Sequence, residues 1–316
     1  MLELIAAAVI AAGVALYWNG RAYTARVERR WPPQGRFIDI GGARLHVVER
    51  GPADAPRVLL IHGASANLRE VLPPLIELET DHRVIAMDRP GYGYSSRPRG
   101  SESLALQARF AAGVLEAIGA GPALIVGQSL GAAVALRLAH DRPELVRGLV
   151  LIAPATHPYP GDNVWWARLA ATPLIGPAFA ALFVPFAGPA MAQAGVANTF
   201  APAPVPKTYE EEAGIGLTLR PRAFVASARD VVASKKEFVA QALLYPEISA
   251  PTIIITADKD RVVSPKIHAR ALAGDLPAAE LVIAPGAGHM PHRVRTDLVL
   301  AAIRRVEAMA GAGAES

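Results

Sequence analysis

Cysteine is absent from all 316 residues. Its absence excludes disulfides, thiolate metal ligands and a cysteine nucleophile together, and leaves the compartment open. Charge is sparse as well: Asp, Glu, Lys and Arg make up 19% of the chain, and the formal net charge is only +4. The arginines are dispersed along the sequence, so no nucleic-acid partner is expected. No internal repeat is visible. What the chain has in quantity is apolar side chain, 52% of its residues. That is ample for a large core, and the length suits one α/β domain with an insertion, or two small domains.

The first apolar run is residues 4–18, LIAAAVIAAGVALYW. It is slightly short for a spanning helix, but Met1 and Leu2 extend it, and Tyr17 and Trp18 suit an interface. A cleaved signal peptide would carry a basic start and a small-residue cleavage site, whereas the only early charge here is Glu3. A buried core helix has no evident slot ahead of the first strand. The run therefore reads as an uncleaved anchor, residues 1–30 with its basic flank of Arg21, Arg26, Arg29 and Arg30. By the positive-inside rule that flank would hold the remainder of the chain on the cytoplasmic side. Trp31-Pro32-Pro33-Gln34-Gly35 reads as a stiff linker.

Beyond it, 36–40 and 44–50 flank a Gly41-Gly42 turn and predict a hairpin. Short β-rich runs at 57–61, 82–87, 123–126, 146–152, 252–257 and 280–284 predict buried strands. Helical spacing separates them at 67–78 (broken near Pro73-Pro74), 103–119, 130–140 and 265–276, and an amphipathic helix over 296–310 closes the chain. Strands alternating with helices predict a mostly parallel sheet covered on both faces. The rhythm breaks at 155–245, which is rich in Ala, Pro and aromatics and reads as a helical insertion over the sheet. Trp165, Trp166, Phe179, Phe183 and Phe186 are expected either to pack as ordinary core or to roof an apolar pocket.

The chemistry centres on Gly127-Gln128-Ser129-Leu130-Gly131, a G-x-S-x-G run between a strand and a helix. Small residues on both sides allow the sharp turn that would lift the Ser129 hydroxyl out of the sheet. A serine hydroxyl needs an adjacent base. His289 follows the last strand in a glycine-rich loop and is the best candidate, ahead of His46, His62, His82 and His292. A carboxylate must orient that histidine, and the loop after the 252–257 strand offers Asp258 and Asp260. For the oxyanion, one N–H should come from Leu130 and a second from the loop after 57–61, with Ala64 the natural choice.

Taken together, His62-Gly63-Ala64, Asp88-Arg89-Pro90-Gly91-Tyr92-Gly93, Gly127 to Gly131, Asp258 to Val263 and Gly288-His289 resemble the α/β-hydrolase superfamily over roughly residues 36–310. The resemblance implies a hydrolase core of 36–154 and 246–312, with 155–245 as a lid. It implies a Ser129 nucleophile, a His289 base and, from the Asp-Arg-Val-Val pattern, Asp260 as the acid with Asp258 as the fallback. No metal or organic cofactor is implied, and the Asp88–Gly93 loop would be structural. Relatives that use an aspartate nucleophile are disfavoured, because this chain has Ser129 at that position. The expected activity is hydrolysis of apolar, medium-chain carboxylic esters through an acyl-enzyme. Carbon–carbon bond hydrolysis, cofactor-free haloperoxidase or perhydrolase chemistry, and non-catalytic binding are the alternatives.

Overall fold

A computed structural model describes residues 1–161 and 165–312. Its centre is an eight-stranded sheet in the order β1-β2-β4-β3-β5-β6-β7-β8. β1 (Arg36–Ile40) and β2 (Ala43–Arg50) form the predicted antiparallel hairpin, and β2 also runs antiparallel to β4 (Arg83–Met87). From β4 onward the pairing is parallel, through β3 (Arg57–Ile61), β5 (Ala123–Gln128), β6 (Val146–Ile152), β7 (Thr252–Ala257) and β8 (Ala279–Ala284). Every residue of β3, β5 and β7 is buried. That is why these strands read as nearly continuous apolar runs, since a parallel strand is covered on both faces.

Each face has its own core. On one, α3 (Leu104–Ile118) and α4 (Leu130–Asp141) pack Leu115, Val134 and Leu138 against Leu59, Ile125 and Leu149. On the other, α12 (Thr296–Ala312) packs Val299, Ile303 and Val306 against Leu124, Val150 and Ile253, beside the short α2 (Leu68–Val71) and the 3₁₀ turns of Pro73–Thr80. Burying one such aliphatic side chain contributes about 1.5–3 kcal/mol, so the two layers hold the sheet rigid under the site. The helix predicted over 265–276 shortens to α10 (Ala269–Asp275), and α11 (Pro291–Val294) is a single turn before α12.

Between β6 and β7 lie α5 (Trp165–Ala171), α6 (Ile175–Phe200), α7 (Tyr209–Ala213), α8 (Ile215–Thr218) and α9 (Pro221–Ala242). Trp166, Phe179 and Phe183, with Phe224, form a small core among these helices. Phe179 stacks on Phe183 with centroids 4.9 Å apart, and Trp166 lies 5.3 Å from Phe224. Trp165 and Phe186 remain exposed.

The N-terminal helix α1 (Leu2–Arg30) continues well past the apolar run. Its apolar window is entirely exposed, and it is long and apolar enough to cross a membrane. α6 passes the same length and composition test but is partly buried. The second half of α1 docks onto the insertion: Gly20 abuts Ala181 and Pro221, while Val27 and Trp31 pack on Leu217. The Trp31 indole N–H donates to the Glu211 carbonyl at 3.0 Å, and Arg30 pairs with Glu211 at 2.7 Å. Residue 31, expected to open a stiff linker, is instead a buried anchor point, because the indole finds both an apolar seat and an acceptor.

Candidate active site

β5 ends at Gln128 and α4 begins at Leu130, so Ser129 alone makes the turn, at φ 52° and ψ −118°. A non-glycine residue in that region is strained, and the surroundings hold it there. The Ser129 N–H donates to the Ile152 carbonyl at 2.8 Å, and the Ser129 carbonyl accepts from Ala132 at 3.0 Å. The flanking glycines are required by space. A Cβ at Gly131 would overlap the Ile61 and His62 carbonyl oxygens, and one at Gly127 would overlap the Gly131–Ala132 backbone. Gly63 is equally tight, since a Cβ there would strike the Gln128 amide and the Ser129 Cβ. These small residues let the β3 loop close over the serine.

His289 stands across the turn. The Ser129 hydroxyl lies 3.1 Å from His289 Nε2, and His289 Nδ1 lies 2.8 Å from Asp260 Oδ2. All three side chains are buried. The second Asp260 oxygen accepts from the Val262 and Val263 N–H groups at 2.8 and 2.9 Å, which fixes the carboxylate toward the imidazole. Asp258 points elsewhere: its Oδ1 accepts from the Gly286 N–H at 2.6 Å and ties down the loop that carries His289. That loop is also held from above, where the His289 N–H donates to Thr199, at the end of α6, at 2.7 Å.

Ala64 and Leu130 line the same cavity as Ser129, a space of about 460 Å³. Among the described residues neither N–H has a protein acceptor. The cavity's apolar wall is Val231 and Phe238 of α9 with Val262 and Ile267. Of the two readings of the insertion's aromatics, the roof is corrected here: none of Trp165, Trp166, Phe179, Phe183 and Phe186 lines the cavity, and Trp166, Phe179 and Phe183 pack with Phe224 in the insertion's own core. A polar residue missed in the sequence, His268, also faces this space. Its Nδ1 accepts from the Thr156 and His157 N–H groups, each at 3.1 Å, so the ring proton resides on Nε2. Burial, with His157 nearby, pushes its pKa down to about 4, and the ring stays neutral around pH 7.

The rival histidines are tied up elsewhere. His46 pairs with Asp88 at 2.6 Å, His82 with Asp81 and Glu307, and His292 with Glu70 at 2.6 Å. His62 donates from Nδ1 to the Gly63 carbonyl, while its Nε2 accepts from the Arg89 N–H at 3.0 Å. Burial and the Arg89 charge push the His62 pKa to about 4. The Arg89 guanidinium donates to both the His62 and Gly63 carbonyls at 2.9 Å and pairs with buried Asp230 of α9 at 3.0 Å. The Asp88–Gly93 loop thus supports the Ala64 loop from beneath. Asp230 was not legible as a partner, because nothing local marks a carboxylate on a distant helix.

A mostly parallel sheet, a serine on a strand-to-helix turn and a histidine–aspartate pair beside it define an α/β-class hydrolase. Residues 56–295 match the alpha/beta hydrolase fold family, and the chain belongs to that family. It is 30% identical over 269 residues to an uncharacterized protein of Mycobacterium tuberculosis, covering 82% of this chain and 77% of the relative. It is 27% identical over 274 residues to the 2-(acetamidomethylene)succinate hydrolase of Mesorhizobium japonicum, covering 85% and 93%. Among solved structures, a membrane phospholipase A superposes with a TM-score of 0.63 at 24% identity, covering 96% of this chain and 98% of that one.

Proposed function

We propose that the protein hydrolyses carboxylic esters with apolar acyl groups of several carbons, through an acyl-enzyme on Ser129. The observation that carries this reading is His289 standing within hydrogen-bond reach of both Ser129 and Asp260. Ser129 Oγ attacks the ester carbonyl carbon while its proton passes to His289 Nε2. The carbonyl oxygen becomes an oxyanion, stabilised by the Ala64 and Leu130 N–H groups. Asp260 stabilises the imidazolium. Collapse breaks the C–O bond, and His289 returns the proton to the departing alcohol. Water then attacks the acyl carbon, its proton taken by His289, and the carboxylic acid leaves as Ser129 is reprotonated. In this reading 36–154 and 246–312 form the catalytic unit, and 155–245 is a lid whose α9 supplies the apolar wall. His268 Nε2–H offers a neutral donor that orients an oxygen of the bound ester.

Each methylene buried in that wall contributes about 0.8 kcal/mol, or about fourfold in affinity. For p-nitrophenyl esters, kcat/KM is expected to rise from acetate to about hexanoate and to fall for very long chains. A profile peaking at acetate contradicts the apolar cavity. Absence of any ester turnover, together with cleavage of a vinylogous diketone acid, moves the assignment to carbon–carbon hydrolysis on the same triad.

The exposed apolar half of α1 supports a second element of the reading, an uncleaved anchor with the catalytic unit on the cytoplasmic side. The likeness to a membrane phospholipase A along 96% of this chain is in keeping with it. Full-length protein is expected to stay in the membrane pellet through carbonate extraction. Removing residues 1–18 should release an active protein, because Gly20, Val27 and Trp31 keep their contacts. Removing residues 1–31 should release a protein of lower melting temperature, since the Val27 and Trp31 contacts go with it. Full-length protein recovered in the carbonate supernatant with its N-terminus intact contradicts the anchor.

A further inference from the structure

A second cavity of about 460 Å³ lies away from Ser129, between residues 97–102 and the start of α9. Four arginines line it, Arg97, Arg99, Arg222 and Arg229, against a single acid, Glu102. Arg222 and Arg229 stand two turns apart on one face of α9, with Val225 and Ala226 between them on the cavity wall. Arg97 is committed to Asp230 at 2.7 Å and lies 3.6 Å from Glu102, and Arg222 donates to the Ser95 carbonyl at 2.5 Å. Arg99 and Arg229 have no ion-pair partner among the described residues. Positive charge is therefore in excess. It is reinforced by the N-terminus of α9, a 22-residue helix with no acidic residue in its first turn and no side-chain cap.

The position of this cavity identifies its ligand. Pro221 lines it and also touches Gly20 of α1. From Leu2 to Gly20 an α-helix rises about 27 Å, close to the ~30 Å of a bilayer's hydrocarbon core. With α1 spanning, Gly20 and Pro221 lie where hydrocarbon gives way to headgroups. Pro177 of α6 lines the same cavity, and its near neighbours in the chain, Leu174 and Ile175, are exposed apolar residues. A basic cleft with an apolar margin at headgroup depth suits a phosphodiester carried on acyl chains.

We propose that this cleft binds the phosphate of an anionic phospholipid headgroup, at a site separate from the catalytic cavity. The proposal rests on the anchor reading, but its test reads lipid binding and not turnover or extraction. Full-length protein carrying Ser129→Ala, in neutral detergent, is titrated with non-hydrolysable diether phosphatidylglycerol and diether phosphatidylcholine, and bound lipid is counted by native mass spectrometry. Phosphatidylglycerol is expected to bind at least about tenfold more tightly than phosphatidylcholine. Arg99→Glu combined with Arg229→Glu should remove that preference. Arg109→Glu combined with Arg270→Glu, which makes the same charge change at exposed positions outside the cleft, should leave it intact. If the glutamate pair impairs folding, Arg99→Gln with Arg229→Gln should still reduce the preference severalfold. Equal binding of the two lipids, or a preference that survives both cleft variants, overturns the proposal. Glycerol 3-phosphate competing as strongly as the lipid would make the cleft a soluble phosphate site and overturn the lipid assignment.

Discussion

Ser129→Ala is expected to lower kcat for p-nitrophenyl hexanoate by about 10⁴-fold or more, with the fold intact. The size follows from the site's arrangement. Without Oγ there is no atom within reach of both His289 Nε2 and a carbonyl held by the Ala64 and Leu130 N–H groups. What persists is binding and oxyanion stabilisation, which alone leave only a small residual rate over water. The backbone should tolerate the change, because the strained turn is imposed by Gly63, Gly127 and Gly131 and the bond from Ser129 N–H to Ile152, none of which involves the hydroxyl. Circular dichroism and melting temperature close to wild type, alongside the kinetic loss, are the expected pair of results. Esterase activity near wild type would remove Ser129 from the mechanism.

Asp260→Asn should cost about 10³- to 10⁴-fold in kcat, and Asp258→Asn much less. Asp260 Oδ2 accepts the His289 Nδ1 proton at 2.8 Å, and its other oxygen is held by two backbone N–H groups. An amide there keeps the shape but loses the charge that stabilises the imidazolium, and it can favour the wrong tautomer. Asp258 has no contact with the imidazole. Its bond to the Gly286 N–H steadies the His289 loop, so its replacement should appear mainly as a modest loss of stability. The reverse ranking of the two variants would mean that Asp258 acts as the acid in solution.

The parts legible in the sequence were those written locally. A run such as 58–61 is apolar throughout because both faces of its strand are covered, and Gly127, Ser129 and Gly131 fall within five residues because one turn needs all three. The parts that were not legible depend on residues far apart in the chain. Choosing Asp260 over Asp258 from local spacing alone was open, since two residues' difference after a strand decides which carboxylate turns toward the imidazole. The docking of Trp31 on Leu217, the Arg89–Asp230 pair beneath the oxyanion loop and the tautomer of His268 are all products of tertiary packing. Aromatic composition left core and roof open for the same reason. Phe179, Phe183 and Trp166 are apolar because the insertion has its own core, while the substrate cavity is walled by the less conspicuous Val231, Phe238, Val262 and Ile267.

The central claim is that Ser129 is a nucleophile activated by His289. It is tested most directly by labelling the full-length protein with a fluorophosphonate and mapping the modified residue by mass spectrometry. One equivalent of adduct on Ser129 is predicted, slowed strongly in His289→Ala and absent in Ser129→Ala. Labelling that persists in Ser129→Ala, or a wild-type protein that takes up no label while folded, would contradict the account.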